Sequence, residues 1–340
     1  MNNSTPQSIG VGILGIGVVG GEAARWLAAH NASTGPNAPT LRLIGVSNRS
    51  GVAGAERAGI DVAFLQEASA LVAHPDVDVI IEAMGGEQPA ADLMHRALSN
   101  GKHVVSANKE AISKHLPRLV AAANASQVGF LCEASVGGGI PLIVALRQVL
   151  ATNRVERVRG IVNGTTNFIL SKMDAEGADY SATLKEAQEL GYAESDPTAD
   201  VEGFDASYKL AILASLMLGQ HVHPDSVDRT GISGVSAEQM AQAQADGGTI
   251  RLIASAERDA EGDGIRLKVA PTFIPNDDLF SRVVRNYNAI EITGDRVGSV
   301  LLHGQGAGPL PTASALLSDV VEVVRTGAAA TPRLRPQSAD

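Results

Sequence analysis

Only one cysteine, Cys132, stands among the 340 residues, so the chain can build neither an internal disulfide framework nor a cysteine-based zinc site. No clustered basic stripe is visible, and the net charge of -10 with a pI near 5.3 argues against a nucleic-acid-binding surface. Long hydrophobic runs are missing too: the longest, Leu210 to Leu218, falls far short of the ~20 residues that span a bilayer. The opening "MNNSTPQS" lacks the basic and apolar regions of a secretory signal. Aromatic residues are scarce at 3%, against 44% hydrophobic residues and 36 glycines, the profile of an ordinary globular α/β protein. These absences lead us to expect a cytoplasmic protein that engages neither nucleic acid nor membrane.

The length exceeds that of a single ordinary core, so two domains are expected. Five short apolar runs, at 9–14, 41–48, 77–84, 103–107 and 129–135, alternate with loops and helical patterns, including a Pro/Asn/Gly loop at 31–39 and helices at 87–99 and 112–126. Continuous apolar strands between helices indicate a parallel sheet covered on both faces. Residues 1–140 are therefore read as a doubly wound, Rossmann-type nucleotide domain. Beyond "GGGIP" the pattern changes. Helices near 141–152, 165–176, 181–190, 204–219 and 236–246 precede strands at 249–257, 265–272, 287–293 and 297–303, an α+β domain over 141–308. Residues 309–326 should form a C-terminal helix packing back on the nucleotide domain, and 327–340 a disordered tail.

The first strand runs into Gly15-Ile16-Gly17-Val18-Val19-Gly20 and then a helical pattern. That context gives a GxGxxG match its meaning: the first glycine makes a tight turn, the second lets a pyrophosphate approach, and the third lets helix and strand pack closely. A purely structural glycine turn would share the pattern. The second strand ends in Ser47-Asn48-Arg49-Ser50 rather than in the acid that would take a ribose 2′-hydroxyl. An arginine with small hydroxyl neighbours suits a 2′-phosphate, so NADP is accepted at least as well as NAD; Arg49 could also be a solvated surface charge. Gly85, after the third strand, and Lys109, after the fourth, lie at carboxyl ends of strands, where open α/β sheets bind ligands; Lys109 could equally be a solvated residue at a helix start. In "CEASVGGGIP", Glu133 and the carbonyls freed by three glycines offer oxygen ligands of the kind that suit a hard cation.

Several segments together resemble homoserine dehydrogenase: "GILGIGVVG", "SANKEA", "CEASVGGGIP", "GIVNGTTNFIL", "AQELGYAESDPTADVEGFDASYKLAIL" and "GQGAGPLPTASALLSD". They cover nearly the whole chain in order. The resemblance implies NAD(P)-dependent interconversion of L-homoserine and L-aspartate 4-semialdehyde, in the route to threonine, methionine and isoleucine, by a homodimer or higher homo-oligomer built through the second domain. It implies Lys209 as the proton-transferring lysine and Lys109 as a lysine at the cofactor–substrate junction. Glu194, Asp200 and Asp205 match the acids around the substrate, and Gly191 and Gly306 match loops closing on substrate or cofactor. Glu133, with the main-chain oxygens of Val136, Gly138 and Ile140, matches a monovalent cation site, usually sodium. No stretch resembles the family's ACT regulatory domain or a fused aspartate kinase, so feedback control through those modules is not expected.

The acidic stretch from Gly191 to Lys209 makes chemical sense beside that resemblance. Carboxylates at Glu194 and Asp205 can hold an ammonium by charge-assisted hydrogen bonds. A lysine exchanges a proton near neutral pH only where burial or a neighbouring cation weakens its hold on it, and Lys209 opens the apolar run "LAILASLML". The plainer reading is an i,i+4 pair between Asp205 and Lys209. Two rival functions share the build: a dehydrogenase of another amino-bearing alcohol, and a non-catalytic dinucleotide-sensing regulator.

Overall fold

A computed structural model describes residues 8–29, 39–259 and 264–334. The opening segment, most of the expected loop at 31–39 and the last six residues of the expected tail lie outside the described residues. The chain divides into two units, Met1–Gly139 with Gly308–Asp340, and Ile140–Ala307.

In the first unit, strands β1 (Ser8–Leu14), β2 (Thr40–Ser47), β3 (Val79–Glu82), β4 (His103–Ser106) and β5 (Phe130–Leu131) form a wholly parallel sheet ordered β2-β1-β3-β4-β5. Helices α1 (Val18–Ala29), α2 (Gly51–Ala58), α3 (Ala68–Leu71), α4 (Ala90–Ser99) and α5 (Lys109–Ala125) occupy the crossovers. The strand order reverses between β1 and β3, the switch point at which such sheets bind ligands.

The last helix of this unit, Pro309–Thr326, belongs to its core: Leu316, Val320 and Val323 are fully buried with Ile9, Val11, Leu27 and Leu41. Two expectations need correction here. The fifth strand is only two residues long, because Cys132 leaves the strand conformation (φ -150°, ψ 33°) and the Glu133 N–H turns to the Asp319 carboxylate (2.8 Å). Residues 327–331 are ordered rather than tail: Ala330 is fully buried, and Thr331 Oγ1 accepts from the Phe130 N–H at 3.0 Å. Apolar burial and an edge-strand donor outweigh the flexible composition of that stretch.

The second unit is a six-stranded sheet of β6 (Val155–Ile161), β7 (Asp228–Arg229), β8 (Gly248–Arg258), β9 (Ile265–Pro275), β10 (Tyr287–Gly294) and β11 (Gly298–Gln305), ordered β11-β10-β6-β8-β9-β7. Its pairings are antiparallel except β7 with β9. Helices α6 (Leu142–Leu150), α7 (Gly164–Glu176), α8 (Tyr180–Glu189), α9 (Thr198–Val201), α10 (Phe204–Leu218) and α11 (Ala237–Ala245) complete it, and the C-terminal helix of the first unit is α12. The central strand β6 has no apolar run to announce it. Its sequence, VERVRGI, carries arginines whose charges are absorbed across the ladder: Arg157 and Arg159 pair with Glu291 on β10 at 2.9 and 3.1 Å. No described helix is long and apolar enough to cross a membrane.

Candidate active site

In the first unit each glycine of the fingerprint has a distinct steric reason. Gly15 adopts φ 87°, donates its N–H to Ser47 O at 2.7 Å, and would bring an added Cβ to 2.7 Å from Ala83 O. A Cβ on Gly20 would lie 1.9 Å from Gly15 O, whereas one on Gly17 would meet nothing within 4 Å. So the outer glycines serve the fold, and the middle one keeps open the approach to the N-terminus of α1. Ile16 and Val18 line a cleft of about 560 Å³ together with Arg49, Ser50 and Arg57. Val19 is half-buried against the core. Arg49 and Arg57 are exposed, and the second of them, supplied by α2, was not singled out from the sequence.

Gly85 and Gly86 follow β3 with φ 74° and 73° in open space, a conformation that disfavours other residues there. Their loop is held from beneath by Glu82, the last residue of β3, which is wholly buried. The Met84 N–H donates to Oε1 at 2.8 Å and Ser106 Oγ donates to Oε2 at 2.5 Å. Asn108 Nδ2 donates to both Glu82 Oε1 (3.3 Å) and Gly86 O (2.8 Å), while its Oδ1 caps α5 by accepting from Ala111 N. Lys109, half-buried, is the first residue of the helix so capped. Glu82 thus ties the ends of β3 and β4 together, a role that its place in an apolar run concealed.

Burial pushes the Glu82 carboxyl above the ordinary value of 4.5, and the bonds from Ser106, Met84 and Asn108 only moderate the shift. The folded state then holds this proton more tightly than the unfolded chain does. Stability attributable to the group is lost as pH rises from about 4.5 through the raised value. Glu82→Gln should escape that loss, so its stability relative to the parent should increase across this window. Urea unfolding at a series of pH values tests this; a pH-independent difference would refute it.

In the second unit the site lies where β6 ends and α7 begins. Lys209, 8% exposed, donates from Nζ to Val162 O (2.7 Å) and to Asp205 Oδ2 (2.6 Å); Asp205 is 5% exposed. The two sequence readings therefore coincide, since the i,i+4 pair exists and is buried. Asn163 Nδ2 donates to both Asp205 Oδ2 (2.8 Å) and Asp200 Oδ1 (2.7 Å), so one amide joins two of the expected acids, and Lys209 meets it only through Asp205. Burial, and then the neighbouring Asp205 charge, raise the Asp200 carboxyl above its ordinary range, against the bond from Asn163.

Gly191 (φ 76°) and Glu194 lie on the exposed loop between α8 and α9. Thr165 Oγ1 fastens this loop to the start of α7 through Tyr192 O (2.6 Å), and the rings of Phe168 and Tyr192 meet at 4.7 Å. The Glu194 side chain is not joined to the Asp205–Lys209 cluster by any hydrogen bond or ion pair among the described residues; its main-chain oxygen accepts from Gln188. Gly306 is buried against Asn288, so close that an added Cβ would overlap the amide at 1.8 Å. Near Glu133, the positive φ of Gly137 (77°) and Gly138 (58°) turns the chain after Val136, while Ile140 O accepts from Leu142 N at 2.8 Å.

The family model for homoserine dehydrogenase matches residues 141–321, and the one for the homoserine dehydrogenase NAD-binding domain matches 15–133. A homoserine dehydrogenase of Synechocystis is 47% identical over 75% of this chain, which spans 59% of that relative's length. The Corynebacterium glutamicum enzyme is 42% identical, with 94% of this chain and 72% of the relative covered. Among solved structures, a homoserine dehydrogenase from Thiobacillus denitrificans superposes with a TM-score of 0.88 at 40% identity, covering 94% of this chain and 74% of that one. A hyperthermophilic archaeal homoserine dehydrogenase in complex with NADPH gives 0.81 at 26% identity, covering 97% and 100%. With both units matched, and with relatives above 40% identity over most of its length, this chain belongs to the homoserine dehydrogenase family of NAD(P)-dependent oxidoreductases.

Proposed function

We propose that the chain interconverts L-homoserine and L-aspartate 4-semialdehyde with NAD(P), and that Lys209 moves the proton. The observation that carries this reading is the buried Lys209–Asp205 pair, fixed at the end of β6 beside a second carboxylate, Asp200. Bound NAD(P) would supply the hydride chemistry, held by Gly15 to Gly20, Arg49 and Gly85. The remaining task is proton movement at the substrate hydroxyl. In the reductive direction the Lys209 ammonium, oriented by Val162 O and Asp205, gives the proton to the oxygen as it becomes a hydroxyl. In the oxidative direction the same nitrogen, unprotonated, takes it back. Asp205, Asp200 and Glu194 offer negative charge to the substrate ammonium, and Lys109 serves the cofactor–substrate junction.

The turn after Glu133 suits a monovalent cation, one carboxylate with main-chain oxygens of Val136, Gly138 and Ile140, a hard-oxygen set of low charge. A homodimer through the second unit, resting on the family resemblance, and a cytoplasmic location, resting on the composition, complete the proposal.

The test follows NAD(P)H absorbance with L-homoserine, with D-homoserine and without substrate. Turnover specific for the L form is expected, and its absence under alkaline conditions would overturn the proposal. Run with both cofactors, the same assay reads Arg49. Loss of one charge-assisted phosphate contact costs about 1.5–3 kcal/mol, so Arg49→Ala should lower kcat/KM for NADP at least about tenfold more than for NAD. Equal losses would remove Arg49 from the 2′-phosphate.

A further inference from the structure

Asn163 is 5% exposed and uses both ends of its amide. Oδ1 accepts from the Thr166 N–H (2.8 Å), which caps α7. That bond fixes which way the amide faces, because only its oxygen can meet an N–H donor. Both hydrogens of Nδ2 are thereby aimed at carboxylates, one at Asp200 on α9 and one at Asp205 on α10. Asp205 Oδ2 is the same atom that receives Lys209 Nζ. One backbone-anchored side chain therefore sets the spacing of two acids and, through Asp205, the direction of the lysine.

We propose that Asn163 is a positioning residue of this site, whose amide donates one hydrogen each to Asp200 and Asp205 and so holds Lys209 in its working orientation. This rests on the reaction proposed above. The alternative is that Asn163 merely caps α7. The two roles separate chemically, because aspartate and serine cap helices about as well as asparagine, yet neither can donate to two carboxylates. The charged groups facing the amide are Asp200, Asp205 and Lys209, with the Thr165 hydroxyl also acting on Asp200. Asn163→Asp would put a third acid beside Asp200, Asp205 and Lys209, and Asn163→Ser would remove both donors without adding charge.

Kinetics with L-homoserine and NADP across pH, alongside thermal unfolding, provide the test. For Asn163→Asp we expect kcat/KM for homoserine to fall about 100-fold or more, the scale of two charge-assisted bonds. Its acid limb should move to higher pH, and KM for NADP should stay within about threefold. Asn163→Ser should lose about tenfold or more with a thermal midpoint close to the parent's, and it decides the matter if Asn163→Asp does not fold. Parent-like kcat/KM and an unmoved acid limb in both variants would leave Asn163 a cap and overturn the proposal. Should the parent itself fail to turn over homoserine, the proposed reaction fails separately. A 13C titration of the Asp200 carboxyl then still decides: a further rise in either folded variant supports positioning, and an unchanged value overturns it.

Discussion

Lys209→Ala should lower kcat for homoserine about 10³-fold, within the range contributed by a positioned general acid–base group, and leave NADPH affinity within about threefold. An ammonium has three hydrogens. Val162 O and Asp205 Oδ2 take two of them at 2.7 and 2.6 Å, which leaves one direction for a reacting oxygen. The side chain is too well held to be replaced by solvent at no cost in rate. Alanine also leaves the Asp205 charge buried without its cation, and breaking such a pair costs about 3–5 kcal/mol of stability. Unfolding should therefore be followed beside kinetics, and Lys209→Met, which keeps most of the apolar stem, should show the same loss of kcat. Turnover above about a tenth of the parent value in a folded variant would mean that another group moves the proton.

Gly20→Ala should abolish dinucleotide binding, with an affinity loss of about 100-fold or more. The new methyl would sit 1.9 Å from Gly15 O, and Gly15 cannot yield because its N–H is bonded to Ser47 and its φ is 87°. The start of α1 must then move away from the sheet, which displaces the N–H groups that face a pyrophosphate. Gly17→Ala makes the instructive contrast. Its methyl meets no atom within 4 Å, so the thermal midpoint should hold while affinity drops because the ligand's approach is occupied. Trp26, the chain's only tryptophan, lies on α1 and can report NADPH binding by fluorescence. Affinity within about threefold of the parent for Gly20→Ala would show that close packing at this glycine does not set the binding site.

The nucleotide unit was legible because parallel strands buried on both faces read as near-continuous apolar runs, and because the outer glycines of the fingerprint answer a local steric demand while the middle one leaves the approach open. Strand β6 was not legible. Its arginines look solvated in sequence, and only the pairing with Glu291 on β10, more than a hundred positions away, neutralises them. Glu82 stayed hidden for a related reason: within an apolar run a lone acid gives no sign of the Ser106, Met84 and Asn108 donors that make its burial tolerable. At Thr331 burial and an edge-strand N–H outweigh the flexible composition of an alanine-rich stretch, and neither is visible in the local sequence.

By itself the sequence determined the α/β class, the cofactor fingerprint and the family, through patterns and motifs that follow in order along the chain, and it offered the acids and lysine of one motif as candidates. Tertiary structure alone decided that Asp200 and Asp205 share the Asn163 amide, that Lys209 joins them through Asp205 Oδ2, and that among the described residues the Glu194 side chain makes no bond to them. Hydrogen-bond partnership is a matter of a few ångströms, and residues 163 and 205 come within that reach only when β6 and α10 pack in the same unit.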